Sequence, residues 1–305
     1  MKSQTKAYLC AGLTVMLWST VATAFKLSLR HLDPIQLLLY ASLTSTLVLG
    51  LTLALSGKAG LLRRVTPRQH ALSVLMGALN PCLYYLVLFK AYDLLPAQEA
   101  QPLNYTWALT LAFLSIPLLG QRIGWRTLAA GVVCYGGVLV IATHGDPLAL
   151  HFSDPLGVGL ALGSTLIWAL YWILNTRDDR DPVAGLFLNF LYGTPMVAAA
   201  CGLFSSFAWP DGRGLLGAAY VGTFEMGLTF VLWLTALKNS RNTAQVANLI
   251  FLSPFVSLIF IRLFVGEAIR PSTVAGLVLI VAGLLLQRTD REGRPGTGTS
   301  QEAAP

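Results

Sequence analysis

Charge is what this chain has least of. Lys, Arg, Asp and Glu make up 11% of its 305 residues, roughly half of what a soluble globular protein carries. A surface built to face water on all sides is therefore excluded. Cysteine is scarce too. Cys10, Cys82, Cys134 and Cys201 are the only four, each inside or at the edge of an apolar run, and none has a partner at metal or redox spacing. They are expected to be small apolar packing residues. The four histidines, His31, His70, His144 and His151, fall in loops or at helix ends, where a solvated surface position is expected. HExxH, GxSxG and Walker A sequences are missing. Nothing therefore points to an enzyme, a metal, a cofactor or direct use of ATP.

Apolar sequence fills the space left by charge, at 55% of the chain. It falls into ten runs near the ~20 residues that span a bilayer as a helix: 7–29, 35–55, 71–93, 97–117, 127–143, 155–174, 183–204, 215–237, 243–264 and 272–287. The connections are too short for a soluble domain. An all-α polytopic membrane protein with ten transmembrane helices is expected. The Gly, Thr, Pro and charge after Gln287 predict a disordered tail over 288–305.

The net charge of +7 does not read as nucleic-acid binding, because the cations sort by loop. With the N-terminus in the cytoplasm, 15 of the 21 Lys and Arg fall on the cytoplasmic side. The other six are Lys26, Arg30, Lys90, Arg213, Arg262 and Arg270. That asymmetry predicts both termini in the cytoplasm. Residues 2–24 imitate a signal peptide, with Lys2, Lys6 and a small-residue site at Ala22-Thr23-Ala24. The apolar run is too long for a typical signal core, so it is read as a retained first helix.

Several runs carry polar and aromatic groups at membrane depth, where lipid solvates nothing. The third holds Asn80, Pro81, Tyr84 and Tyr85; the fourth holds Gln98, Gln101, Pro102, Asn104, Tyr105 and Trp107. Trp18 lies in the first run, Trp168 in the sixth, Glu225 in the eighth, and Gln245, Asn248 and Ser253 in the ninth. Such groups mark a substrate path by default. Pro102 is expected to bend its helix so that both polar faces line one cavity. For any one ring the plainer reading is packing or an interfacial belt, which suits Trp125 and Trp209 at helix ends.

The halves repeat weakly. Ala97-Gln98-Glu99-Ala100 answers Ala244-Gln245-Val246-Ala247, Leu119-Gly120-Gln121-Arg122 answers Val265-Gly266-Glu267-Ala268, and Trp18 answers Trp168. An odd number of helices per half inverts the second half in the membrane, the pattern of alternating-access transporters. The expected organisation is a five-helix repeat over 1–143, a periplasmic linker over 144–154 and a second repeat over 155–287. Gly131, Gly136 and Gly137 in the fifth run, with Gly276 and Gly283 in the tenth, predict packing or dimer surfaces.

On these motifs, above all Leu237–Pro254 and Leu263–Leu286 with Gly266-Glu267, the chain resembles the drug/metabolite transporter superfamily, EamA-like branch. It is most similar to the YddG-type aromatic amino-acid exporters, through the Asn80–Tyr85 and Asn104–Trp107 stretches and Trp168. It departs from the pattern at Gln121, where Glu is common, and at Trp107, which replaces a proline. The resemblance implies export of aromatic and other neutral amino acids across a bacterial inner membrane.

The expected substrate residues are Trp18, Asn80, Tyr84, Tyr105, Trp107, Trp168, Glu225, Asn248 and Ser253. The rings would cage an apolar side chain or an ammonium, and Glu225 would recognise an ammonium or couple protons. The alternative for Glu225 is a structural carboxyl. Lys90 and Glu99 are expected at a gate, as a salt bridge across their turn or as snorkelling ends. Expected partners are a small molecule and the lipid bilayer, with the chain a monomer or homodimer. Export of flat cationic drugs is the rival reading; a membrane enzyme or a non-transporting scaffold is a remoter one.

Overall fold

The computed structural model describes residues 2–120, 124–148, 152–175, 177–239 and 249–292. Helices account for most of them, and no strand occurs among the described residues. Helix α1 (Lys2–Ser28) turns into α2 (Pro34–Leu55) through a full capping box. The Asp33 carboxylate accepts from the Ile35 and Gln36 N–H groups, and the Gln36 amide oxygen accepts from the Asp33 N–H. Pro34 sits where a missing donor costs nothing.

The third span, Pro67–Leu94, is interrupted. Helices α3 (Pro67–Gly77) and α4 (Tyr84–Leu94) flank a widened π-type turn over Ala78–Leu83. Pro81 has no N–H to donate, and Asn80 leaves helical geometry at φ −145° and ψ 114°. The fourth span divides into α5 (Ala97–Tyr105) and α6 (Trp107–Leu119), with Thr106 between them, four residues past Pro102. Helices α7 (Trp125–Ala142), α8 (Pro155–Asn175) and α9 (Pro182–Phe204) follow. A second π-type turn, Val221–Glu225, separates α10 (Gly212–Tyr220) from α11 (Leu228–Asn239). Helix α12 (Ser253–Phe260) is followed by a third such turn and by α13 (Pro271–Glu292).

Among the described residues, eight helices are long and apolar enough to cross a membrane, and two shorter apolar ones cover Leu249–Val265 and Pro271–Gln287. One face of α2 leaves Leu43, Leu47, Leu51 and Leu55 exposed, as suits a helix solvated by lipid. Among the described residues, two boundaries differ from expectation by five residues. The first helix begins at Lys2. The last runs to Glu292, five residues into the segment predicted as tail, because extending an existing helix is far easier than nucleating one.

The connections gather at two ends. At the basic end, the Lys58 ammonium meets the Asp181 carboxylate at 2.6 Å, and Arg177 donates to the Leu118 carbonyl at 3.2 Å. Arg180 there holds Asp178 at 2.7 Å. Burial pushes both carboxyls up, but Arg180 and Lys58 outweigh it and leave Asp178 and Asp181 below the ordinary carboxylate value of 3.8. At the opposite end, Arg30 donates to the Val265 carbonyl at 2.9 Å and Ser205 to the Asp33 carboxylate at 2.5 Å.

Helices α7 and α13 form the most extensive pair. A Cβ on Gly137 would lie 2.5 Å from the Gly276 carbonyl oxygen, and one on Gly276 2.5 Å from that of Gly137. Gly137 and Gly276 therefore set the closeness of this contact, and the surfaces expected to pack or dimerise pack on each other.

Candidate functional site

A cavity of about 190 Å³ lies among α1, α4, α5, α6, α8 and α11. The broken helices explain its lining. The interruption at Thr106 lets Gln101, Asn104 and Tyr105 from α5 and Trp107 from α6 face one space. Glu225 is the last residue of the π-type turn that precedes α11. Its carboxylate accepts from the Tyr85 hydroxyl at 3.1 Å.

Around that carboxylate the walls are aromatic. Tyr84 stacks on Trp168 with ring centroids 4.4 Å apart, and Tyr171 stacks on Trp168 at 5.4 Å. Trp18 meets Phe230 at 5.9 Å and Trp233 at 5.7 Å. Trp107 lies parallel to Trp172 at 6.4 Å. Stacking already covers part of Trp168, which leaves more free ring surface on the other tryptophans. Asn104 accepts from Tyr84 at 3.4 Å and donates to Ser164 at 2.9 Å. Among the described residues, two buried polar atoms of the lining lack partners: the acceptor Gln101 Oε1 and the donor Trp172 Nε1. Among the described residues, no Lys, Arg or His lines this cavity. The chamber thus offers a carboxylate, a free acceptor and π faces, a set that favours a positive group attached to an apolar or aromatic body.

Six of the expected substrate residues meet here: Trp18, Tyr84, Tyr105, Trp107, Trp168 and Glu225. Asn80 does not; it is 1% exposed, outside the lining, with Oδ1 unpartnered. Ser253 sits behind the lining and bonds the Tyr105 hydroxyl. Asn248 and Gln245 lie outside the described residues. Gln101, Tyr85, Trp172, Phe230 and Trp233 were not among the expected substrate residues. The i, i+3 and i+4 spacing of Phe230 with Trp233 and of Trp168 with Trp172 was the available signal.

The expected Lys90–Glu99 salt bridge is not formed. Lys90 is exposed and pairs with Asp93 on its own helix face, at 2.7 Å. Glu99 is fully buried in the first turn of α5 and faces the linker and α13. It bonds Arg270, His144 at 3.1 Å and Ser153 at 2.6 Å. Beside it, Glu267 accepts from the Ala97 and Gln98 N–H groups at 2.8 and 3.1 Å, a carboxylate placed on the N-terminus of α5. The Gln98 amide oxygen accepts from the Arg270 N–H at 2.9 Å. Among the other histidines, His31 is exposed, as expected, and bonds Asp211 at 2.8 Å, while half-buried His70 bonds Tyr192 at 2.8 Å. Both join separate elements. His151 lies outside the described residues.

A multi-pass helical membrane protein with a polar-lined aromatic chamber among broken helices is built as a transporter. The profile of the EamA-like transporter family matches residues 5–143 and 155–289, and the chain belongs to that family. It is 24% identical to the uncharacterized transporter YvbV of Bacillus subtilis, over 99% of this chain and 98% of that one. It is 26% identical to the aromatic amino acid exporter YddG of Ancylobacter novellus, over 92% and 96%. A probable terminal-alkyne amino-acid exporter of Streptantibioticus cattleyicolor is 24% identical, over 95% of each. A solved crystal structure matches with a TM-score of 0.64 at 23% identity, covering 96% of this chain and 100% of the other, and shares its fold.

Proposed function

We propose that the protein is a secondary exporter of aromatic and other neutral amino acids in a bacterial inner membrane. The aromatic chamber around Glu225 carries this reading. Glu225 and Gln101 would take the ammonium, and the rings the side chain. Relatives named as amino-acid exporters support the substrate class.

In this reading ten spans form two inverted five-helix repeats, 1–143 and 155–287, joined by a periplasmic linker over 144–154. A cytoplasmic tail follows, and both termini lie inside. The two family matches support it. So do mirrored contacts: α1 packs on α11 as α8 packs on α4, and α1 on α12 as α8 on α6. The π-type turns at Ala78–Leu83 and Val221–Glu225 fall at matching places, as do the left-handed Gly120 (φ 65°) and Gly266 (φ 83°). Loops at the basic end would face the cytoplasm. The halves would rock about the chamber in alternating access, with the Glu99, Arg270 and Glu267 contacts closing the periplasmic side.

A test is uptake of labelled phenylalanine into liposomes carrying the purified protein. Saturable uptake competed by threonine and methionine is expected, and Glu225→Gln or Trp107→Ala should abolish it while leaving the fold intact. Normal uptake by both variants would refute the site. Export of flat cationic drugs is the second reading, favoured by the missing cation in the described lining. Competition by a dicationic dye alone would select it.

A further inference from the structure

A second cavity, of about 210 Å³, lies toward the basic end. Trp172, Phe230 and Trp233 line both cavities and form the wall between them. Its other lining groups include Tyr171, Asp178, Arg180 and Asn189. This chemistry differs from the aromatic chamber in one decisive respect: it supplies a cation.

Arg180 is largely committed to structure. Its Nε and one Nη2 hydrogen serve Asp178, while Nη1 serves the Gln69 carbonyl at 3.2 Å and Ser73 at 2.6 Å. A guanidinium has five N–H donors, so one on Nη2 is left over. Asn189 is 2% exposed, and its Oδ1 has no hydrogen-bond partner among the described residues. Its amide nitrogen donates to the Tyr171 hydroxyl at 3.4 Å, which leaves that hydroxyl's own hydrogen to give. An unpaired buried acceptor is costly unless something satisfies it. The cavity therefore presents two donors, Arg180 and Tyr171, for a carboxylate, and one unpaired acceptor, Asn189 Oδ1, for an ammonium, with the Arg180-bonded Asp178 carboxylate beside it.

We infer that this cavity is a second binding station for a zwitterionic amino acid, which reads the carboxylate and ammonium before the molecule passes the Trp172, Phe230 and Trp233 wall into the aromatic chamber. The inference rests on the amino-acid reading of the chamber. It also divides the recognition: the station tests for both backbone charges, and the chamber for the positive charge and the side chain.

Equilibrium dialysis of labelled phenylalanine against the purified full-length protein in detergent tests it. The wild type is expected to bind two molecules per chain. Asn189→Leu is expected to bind one, and Glu225→Gln also one. Phenethylamine, which lacks the carboxylate, should displace only one of the two. Should Asn189→Leu fail to fold, Gly185→Val fills the same cavity, since a Cβ there lies 3.3 Å from the Asp178 carboxylate, and is read the same way. One molecule per wild-type chain, lost in Glu225→Gln and kept in Asn189→Leu, would overturn the station and leave the exporter reading standing. No binding by folded wild type would overturn both.

Discussion

Gln101 offers a test in which stability and transport move in opposite directions. The residue is 4% exposed on α5, lines the aromatic chamber, and its Oε1 has no hydrogen-bond partner among the described residues. A buried acceptor left unpaired costs about 1–3 kcal/mol. Methionine has a similar length and helix propensity and carries no such acceptor. Gln101→Met should therefore stabilise the empty protein by about 1–3 kcal/mol, a rise of several degrees in its melting temperature. Substrate binding should suffer. A hydrogen bond to a charged group contributes about 1.5–3 kcal/mol, and each 1.4 kcal/mol or so is tenfold in affinity. The ammonium should thus bind roughly ten- to a hundredfold more weakly. Thermal melting in detergent, with and without phenylalanine, reads the first effect and the loss of ligand protection together. Liposome uptake reads the second, as a raised KM. A variant that melts lower and transports normally would refute the assignment of Gln101 Oε1 to the substrate.

Three further outcomes follow from named contacts. Gly276→Ala forces a Cβ to within 2.5 Å of the Gly137 carbonyl oxygen and should destabilise the α7–α13 pair by about 1–3 kcal/mol. Gly136→Ala, with nothing within 4 Å of the new Cβ, should be neutral, and equal melting temperatures for the two would count against the packing. Glu99→Gln removes the buried carboxylate that Arg270 and His144 share. It should speed amide hydrogen exchange over 97–101 and 144–148, and unchanged exchange would separate those contacts from closure of that end. Acid should weaken the basic end. Asp178 and Asp181 have folded pKa values below the ordinary 3.8, so their stabilisation is present above that value and lost as pH falls through the depressed ones. The wild type should lose more stability than Asp181→Asn between pH 7 and pH 3, and parallel losses would contradict the pairing.

The helices were legible because lipid allows few solutions. A run of twenty apolar residues admits almost only a helix, and the expected 35–55 and 155–174 are met by Pro34–Leu55 and Pro155–Asn175. About a third of the chamber was also legible: three tryptophans, two tyrosines and a glutamate at membrane depth are expensive anywhere but against a cavity. Partners were much less so. Lys90, nine positions from Glu99 across one turn, is the partner the sequence suggests, whereas Arg270, 171 positions away, is its partner in space. Asn80 stood on the right helix, yet the π-type turn carries it out of the lining.

Composition and run length by themselves determined that this chain is a multi-pass helical membrane protein, because hydrophobic transfer is additive along a segment and needs no knowledge of neighbours. Glycine positions likewise marked these two helices as close-packing surfaces, though only the structure shows that α7 and α13 pack on each other. Tertiary structure alone decided which polar groups converge. Hydrogen bonds are directional and short-ranged, so the joining of Tyr85 to Glu225, the unpaired state of Gln101 and Asn189, and the ring wall between two cavities depend on helix breaks and rotations. No one-dimensional pattern encodes these.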